Sequence, residues 1–302
     1  MTAELVRDAR NGTGESPVWR ADEQALYWVD IPARQLHRWS PSTGVHAQWT
    51  GDEMLACIAP RAGHPGQWIA GMESGVFAIA QSATPDEGTL SATLLAHVPH
   101  AAHGMRFNDG RCDRQGRFWA GTMLMDMAAA RSVGRVYRYQ ADVNAEAALR
   151  LQLDDLIVPN GIAFSPDGRT MYLSDSHPNV QTIWAFDYDT ATGTPHNRRV
   201  FVDMKPLPGR PDGAAVDADG CYWICGNDAG LVHRFTPEGK LDRSLAVPVK
   251  KPAMCAFGGA QMDTLYVTSI RPGGDLSDQP LAGGVFALQP GVKGLPEPEC
   301  LF

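Results

Sequence analysis

One plan recurs six times along the chain, and it restricts the fold more than any other feature. A short apolar run is followed, nine to twelve positions after its start, by a second, aromatic-rich run ending in Gly, Asp or Ser. The second runs are LYWVD (26–30), QWIAG (67–71), RFWAG (117–121), MYLSD (171–175), CYWICG (221–226) and LYVTS (265–269). In most copies a third run follows, as in GVFAIA, GRVYRY, IWAFDY, GLVHRF and GVFALQ. The runs are short, β-branched or aromatic, and bounded by turn signals such as Pro166-Asp167-Gly168, which is how strands read. Helical periodicity is nearly absent. The best amphipathic stretch, 141–150, is short and reads as a loop or an outer strand.

Counting back from each second run gives Glu15, Cys57, Asn108, Asn160, Asp212 and Ala253, at intervals of 42, 51, 52, 52 and 41. A four-stranded propeller blade repeats every ~40–50 residues. The expectation is therefore an all-β chain, one domain over 1–302, folded as a six-bladed β-propeller. The last blade must close on the first, and AELVRDA (3–9) is placed to complete the blade holding LYVTS and GGVFAL. Closure hides sheet edges that would otherwise recruit other strands.

In a propeller the first strand of each blade lines the central channel, so its equivalent residues converge. Here they bring up to two carboxylates and two carboxamides to one point. Without a cation, Glu15 and Asp212 would repel and one would keep its proton. A central metal site resolves this, and oxygen donors suit Ca²⁺, Mg²⁺ or Mn²⁺ better than a sulfur-preferring ion, with Zn²⁺ and Fe²⁺ as further alternatives. Taken alone, Pro159-Asn160-Gly161 is an ordinary turn signal; its recurrence at the inner position makes Asn160 a candidate ligand.

Composition removes other classes. The 302 residues are 44% hydrophobic and 20% charged, with a formal net charge of −8. No basic run is longer than Lys250-Lys251, so a nucleic-acid surface is not expected. The start, MTAELVRDAR, has no apolar signal region, and no apolar stretch reaches the ~18 residues of a membrane span. A cytoplasmic protein without membrane partners is expected, acting as a monomer or weak homo-oligomer. The six cysteines are expected to be reduced, and Cys221 and Cys225 to fill the core. Phosphate-binding loops, H-E-x-x-H and G-x-S-x-G are missing.

GESPVW (14–19), RFNDGRCDRQGRFWAGTM (106–123), PNGIAFSPDGRTMYLSDS (159–176) and RPDGAAVDADGCYW (210–223) resemble the signature blocks of the senescence marker protein/gluconolactonase family, the family of regucalcin and bacterial sugar lactonases. The resemblance spans essentially the whole chain. It implies a six-bladed propeller holding one divalent ion through Glu15, Asn160 and Asp212. It also implies substrate contacts from Arg106, Asn108 and Asp126, although the family often has Glu at the last position and the run LMDMAAARS departs from its pattern. The implied reaction is hydrolysis of a sugar-acid lactone such as glucono-, xylono- or arabinonolactone, with Asp212 both as ligand and as the base that activates water. The rim segments 97–105, 124–134 and 271–283 are expected to set specificity, while His100, His103 and His177 read as loop residues outside the catalytic set. Competing readings are a phosphotriesterase-like hydrolase on the same scaffold, a calcium-binding regulatory protein and a protein-binding propeller.

Overall fold

A computed structural model of the chain describes residues 3–83, 88–141 and 148–301. Among them every regular element is a strand except for one 3-10 turn, Met127–Ala129, so the expected all-β class holds. After β1 (Glu4–Arg7) come β2 (Gly14–Arg20), β3 (Ala25–Asp30), β4 (Gln35–Trp39) and β5 (His46–Thr50). Next are β6 (Leu55–Pro60), β7 (Gln67–Met72), β8 (Gly75–Gln81) and β9 (Gly88–His97), then β10 (Met105–Cys112), β11 (Phe118–Leu124), β12 (Gly134–Tyr139) and β13 (Leu149–Leu156). The chain continues through β14 (Pro159–Phe164), β15 (Thr170–Asp175), β16 (Thr182–Asp189) and β17 (Thr194–Asp203), and through β18 (Arg210–Val216), β19 (Tyr222–Asn227), β20 (Leu231–Phe235) and β21 (Leu241–Ala246). It closes with β22 (Pro252–Gly258), β23 (Thr264–Ser269) and β24 (Val285–Leu288). The amphipathic stretch 141–150 contributes the start of β13, while its residues 142–147 lie outside the described residues.

The expectation of six separate blades is corrected. The strands form four separate four-stranded blades (β10–β13, β14–β17, β18–β21 and β1-β24-β23-β22) and one eight-stranded sheet of order β2-β3-β4-β5-β9-β8-β7-β6. The cause is a meeting of edges. β5 and β9 are each the outermost strand of an antiparallel meander, and their free backbone groups pair in parallel, Trp49 with Gly88 and Thr50 with Thr89. An unblocked edge takes another strand as a partner. The N-terminal closure does occur: Glu4 lies opposite Ala287 and Leu5 opposite Phe286.

Apolar side chains fill the spaces between neighbouring sheets. Ile162, Phe164 and Leu173 meet Trp119, Val136 and Leu156 across one space; Ala163, Tyr172 and Ile183 meet Ala214, Ile224 and Phe235 across the next. Trp19 and Trp28 meet Tyr266 and Val285 where the ring closes. This explains the near-continuous apolar second runs: β3, ALYWVD, is buried at every position, because a strand covered on both faces needs no polar side. Outer strands such as β17, TPHNRRVFVD, are largely exposed. All six cysteines are buried and none is in a disulfide among the described residues, and no helix among the described residues is long and apolar enough to cross a membrane.

Candidate active site

Every inner strand loses register with its neighbour at the same place. The shifts fall between Glu15 and Val18, Leu55 and Cys57, Phe107 and Gly110, Asn160 and Ala163, Pro211 and Ala214, and Pro252 and Cys255. A bulge of this kind frees residues from the ladder and re-aims their side chains. Two of the bulges use left-handed backbone immediately after a site residue, with φ of 49° at Ser16 and 60° at Gly161. A Cβ at position 161 would stand 2.5 Å from Tyr222 Oη and 2.8 Å from Ser174 Oγ. Gly161 is thus required by both conformation and space, which accounts for its place after Asn160.

Glu15, Arg106, Asn108, Asn160 and Asp212 line one cavity of about 170 Å³. Thr13, Ser176, Arg210 and Asn227 add polar wall; Met123, Met127, Val158 and Ile270 add apolar wall. A larger hollow of about 540 Å³ lies elsewhere, between the β14–β17 and β18–β21 blades. It gathers none of the inner-position residues, and its Arg199 is paired with Asp187 at 2.8 Å.

Hydrogen bonds organise the smaller cavity around Asp212. Its Oδ1 accepts from Asn160 Nδ2 at 2.6 Å and its Oδ2 from Asn227 Nδ2 at 2.5 Å. Arg106 Nη1 donates to the Phe107 carbonyl at 2.7 Å and to Asn108 Oδ1 at 2.9 Å, while Asn108 Nδ2 donates to the Pro159 carbonyl at 3.2 Å. Asn108 therefore links the guanidinium to the start of β14. Arg106 Nε and Nη2 have no protein partner among the described residues.

The acids here hold their protons unusually well. Burial, followed by the nearby Asp212 and Asp109 carboxylates, raises Glu15 well above the ordinary carboxylate range. Burial raises Asp212 to about 7, against the opposing effects of Arg210 and the two asparagine donors. Burial likewise raises Asp109.

The sequence-based candidates are only partly brought together. Cys57 packs between Gly71 and Gly110, where a Cβ on either glycine would lie within 2.7 Å of its sulfur. Neither it nor Ala253 lines the cavity. Asp126 is exposed on the turn before Met127, and Met127, rather than Asp126, lines the cavity. His177 is buried and its Nε2 donates to the Met127 carbonyl at 3.2 Å.

The expected central metal site is not shown. Among the described residues no group of three or more His, Cys, Asp or Glu side chains is gathered to hold an ion, and Asn160 turns its NH₂ toward Asp212. What is present is a set of three oxygen-bearing side chains, Glu15, Asn160 and Asp212. Its two carboxyls bind protons strongly, through burial first and, for Glu15, through the nearby Asp212 second, and a cation favours their charged forms. The chemistry of the set fits a hard divalent ion, provided that the Asn160 carboxamide exchanges its bond to Asp212 for ligation through oxygen.

Sequence reasoning missed Asp109, Asn227, Arg210 and Tyr222. Asp109, inside the RFNDG block, is buried; its Oδ2 accepts from Ile162 N at 2.7 Å, and its Oδ1 has no partner among the described residues. Tyr222 Oη donates to the Gly161 carbonyl at 2.7 Å. Arg210 donates to Asp228, the Ser176 carbonyl and Asn227 Oδ1. A signal for Asn227 existed: it ends β19 much as Asp30 and Asp175 end β3 and β15.

The comparisons agree with the resemblance carried by the sequence blocks. The sequence model of the SMP-30/gluconolactonase/LRE-like region matches residues 13–271. The chain is 39% identical to 6-deoxy-6-sulfogluconolactonase of Pseudomonas putida, with 94% of each chain covered. It is 35% identical to regucalcin of Danio rerio over 98% of this chain and 97% of the relative. A solved structure of a calcium-binding protein, regucalcin, from Agrobacterium tumefaciens superposes with a TM-score of 0.88 at 27% identity, covering 100% of this chain and 98% of that one. A family model over most of the chain and full-length relatives above 30% identity lead to one conclusion: the chain belongs to the SMP-30/gluconolactonase/LRE-like family.

Proposed function

We propose that this protein is a metal-dependent lactonase that opens a sugar-acid lactone to the free acid. The observation that carries the reading is the single cavity shared by Glu15, Asn160 and Asp212 with Arg106 and Asn108, in a chain similar throughout to a 6-deoxy-6-sulfogluconolactonase. Glu15, Asn160 and Asp212 would hold one hard divalent ion, Ca²⁺, Mg²⁺ or Mn²⁺. When bound, the ion supplies Lewis-acid polarisation of the lactone carbonyl.

The chain's own residues do the rest. Asp212, a carboxylate that a bound ion would keep ionised, accepts the proton of the attacking water as general base. Asn227 keeps that carboxylate aimed by holding Oδ2. Arg106 grips the sugar through the guanidinium nitrogens that Asn108 leaves free, in a planar donor fork that stays charged at any working pH. Asn108 sets the position of that fork. Met123, Met127, Val158 and Ile270 form an apolar side against which the C–H edge of an aldonolactone ring fits. Asp126 belongs to this reading only as a rim residue. Six buried thiols suit the reducing cytoplasm in which the protein is proposed to work.

A panel of glucono-, xylono- and arabinonolactone, each assayed with and without a chelator, tests the reading. Metal-dependent hydrolysis of at least one is expected. Tight Ca²⁺ binding with no hydrolysis would instead make the protein a calcium-binding regulator.

A further inference from the structure

The inner strands start at the candidate site and end on the far side of the ring, and the segment 293–301 crosses that far side. Ala218 N donates to the Lys293 carbonyl at 2.8 Å, Gly294 N to Met262 at 2.7 Å, Cys300 N to Pro60 at 2.7 Å, Ala62 N to Cys300 at 2.9 Å and Leu301 N to Gly116 at 3.1 Å. These contacts belong to the β18–β21, β1-β24-β23-β22 and β10–β13 blades and to the eight-stranded sheet. A residual cavity of about 10 Å³ between Ser16, Arg111, Met254 and Glu297 is at the limit for a single water.

One side chain of this segment reaches inward. Glu297 Oε1 accepts from Arg111 Nη1 at 3.3 Å, and Arg111 Nη2 donates to the Ala214 carbonyl at 2.5 Å. Arg111 is buried. Two residues earlier on β10, Asp109 accepts from Ile162 N. Ile162 stands two residues after Asn160 and Ala214 two residues after Asp212, each at the register shift of its strand. Inside the β14 bulge the Ile162 N–H has lost its ladder partner, and Asp109 replaces it. β10 thus pins two of the three strands that carry candidate ligands, with an acid for β14 and a guanidinium for β18.

We infer that Glu297 is a positioning residue for the candidate site: it anchors Arg111, which with Asp109 fixes the backbone of β18 and β14 directly behind Asp212 and Asn160. The inference rests on the proposed ligand role of those two residues, but the mechanical link can be read separately. Glu297 first and Asp109 second are the carboxylates that act on the buried Arg111, and removing the stronger partner of a buried charge leaves it under-compensated. Loss of the Glu297 charge therefore frees Arg111 to leave Ala214 for water or another acceptor. The strand under Asp212 then loosens, although Glu297 touches neither substrate nor ion.

The test compares Glu297→Gln and Glu297→Asp with Glu299→Gln, which removes a charge from the same segment where it pairs with Arg20 at 3.1 Å. Amide hydrogen exchange of the metal-free protein reads the positioning, and calorimetric titration with Ca²⁺ or Mn²⁺ alone reads its consequence. Glu297→Gln should speed exchange in 210–216 and weaken ion binding about three- to tenfold. Glu297→Asp should restore part of both, and Glu299→Gln should leave both near wild type. Wild-type exchange in Glu297→Gln, or equal effects from Glu299→Gln, overturns the inference and leaves the segment a mere cover. If Glu297→Gln does not fold, Arg111→Lys must give the faster exchange, and wild-type behaviour there overturns it equally. A wild-type protein that binds neither ion contradicts the metal reading, and exchange alone then decides the positioning.

Discussion

Asn160 and Asp212, from neighbouring blades, are joined by a 2.6 Å hydrogen bond from Nδ2 to Oδ1. The bond ties two inner strands at the point where their bulges turn side chains into one cavity. It also marks the exchange that ion binding demands, since an Asn160 oxygen must take the place of its N–H.

Asp212→Asn keeps size and one oxygen but removes the negative charge and the basic site. If Asp212 is the base, kcat should fall by about 10² to 10⁴, a usual range for loss of a general base, even at saturating metal. Recovery of full activity at high metal would reduce Asp212 to a ligand.

Stability should carry the mark of the same carboxyl. Its folded value of about 7 lies above the ordinary 3.8, so between these values the folded chain holds a proton that the unfolded chain has released. The contribution of Asp212 to the stability of the metal-free protein therefore falls as pH rises from about 4 to 7 and levels off beyond, by up to roughly 4 kcal/mol. Denaturant titrations of chelated wild type and Asp212→Asn at about pH 5 and about pH 8 check this. The wild type should lose stability relative to the variant at the higher pH; a pH-independent difference would refute the assignment.

Much of this architecture was legible in the sequence. The second runs became β3, β7, β11, β15, β19 and β23 because an aromatic-rich strand buried on both faces leaves a strong apolar signature. The pairing of residues 4–7 with 285–288 was legible because an open ring must close. The fusion of β5 with β9 was hidden, since HAQWT and GTLSATLLAH carry no signal for which edge they meet. In the site, Glu15, Asn160 and Asp212 could be found by counting, but bulges have no one-residue signature. Hence Cys57, at an equivalent position, could not be seen to turn into packing rather than the cavity. Asp126 stands outside the cavity lining for another reason: its position was carried over by resemblance across a run that departs from the family's pattern.

Gly161→Ala tests the bulge. The left-handed backbone costs an alanine about 1–2 kcal/mol, and the Cβ must also displace Tyr222 Oη or Ser174 Oγ. Gly44, at φ 70°, has nothing within 4 Å of the same atom, so Gly44→Ala bears the backbone cost alone. Thermal melts should show the larger loss at 161, with weaker ion binding only there. Equal losses would mean that the crowding around Gly161 is unimportant.

Arg106→Ala separates grip from chemistry. Losing one charge-assisted hydrogen bond of about 1.5–3 kcal/mol should lower kcat/KM for a hydroxyl-rich lactone by roughly one to two orders of magnitude, with little change in ion affinity. A simple unsubstituted lactone should suffer less. Equal losses on both would show that Arg106 does not contact the sugar.

The central claim is that this ring of strands opens lactones with an ion held by Glu15, Asn160 and Asp212. The most direct measurement is lactone hydrolysis by the full chain after exhaustive chelation, followed by re-addition of Ca²⁺, Mg²⁺, Mn²⁺ or Zn²⁺ singly, in wild type and in Glu15→Gln. Hydrolysis should vanish on chelation, return with at least one oxygen-preferring ion in the wild type, and require a higher concentration of that ion in the variant. Undiminished hydrolysis in the chelated protein would contradict the account.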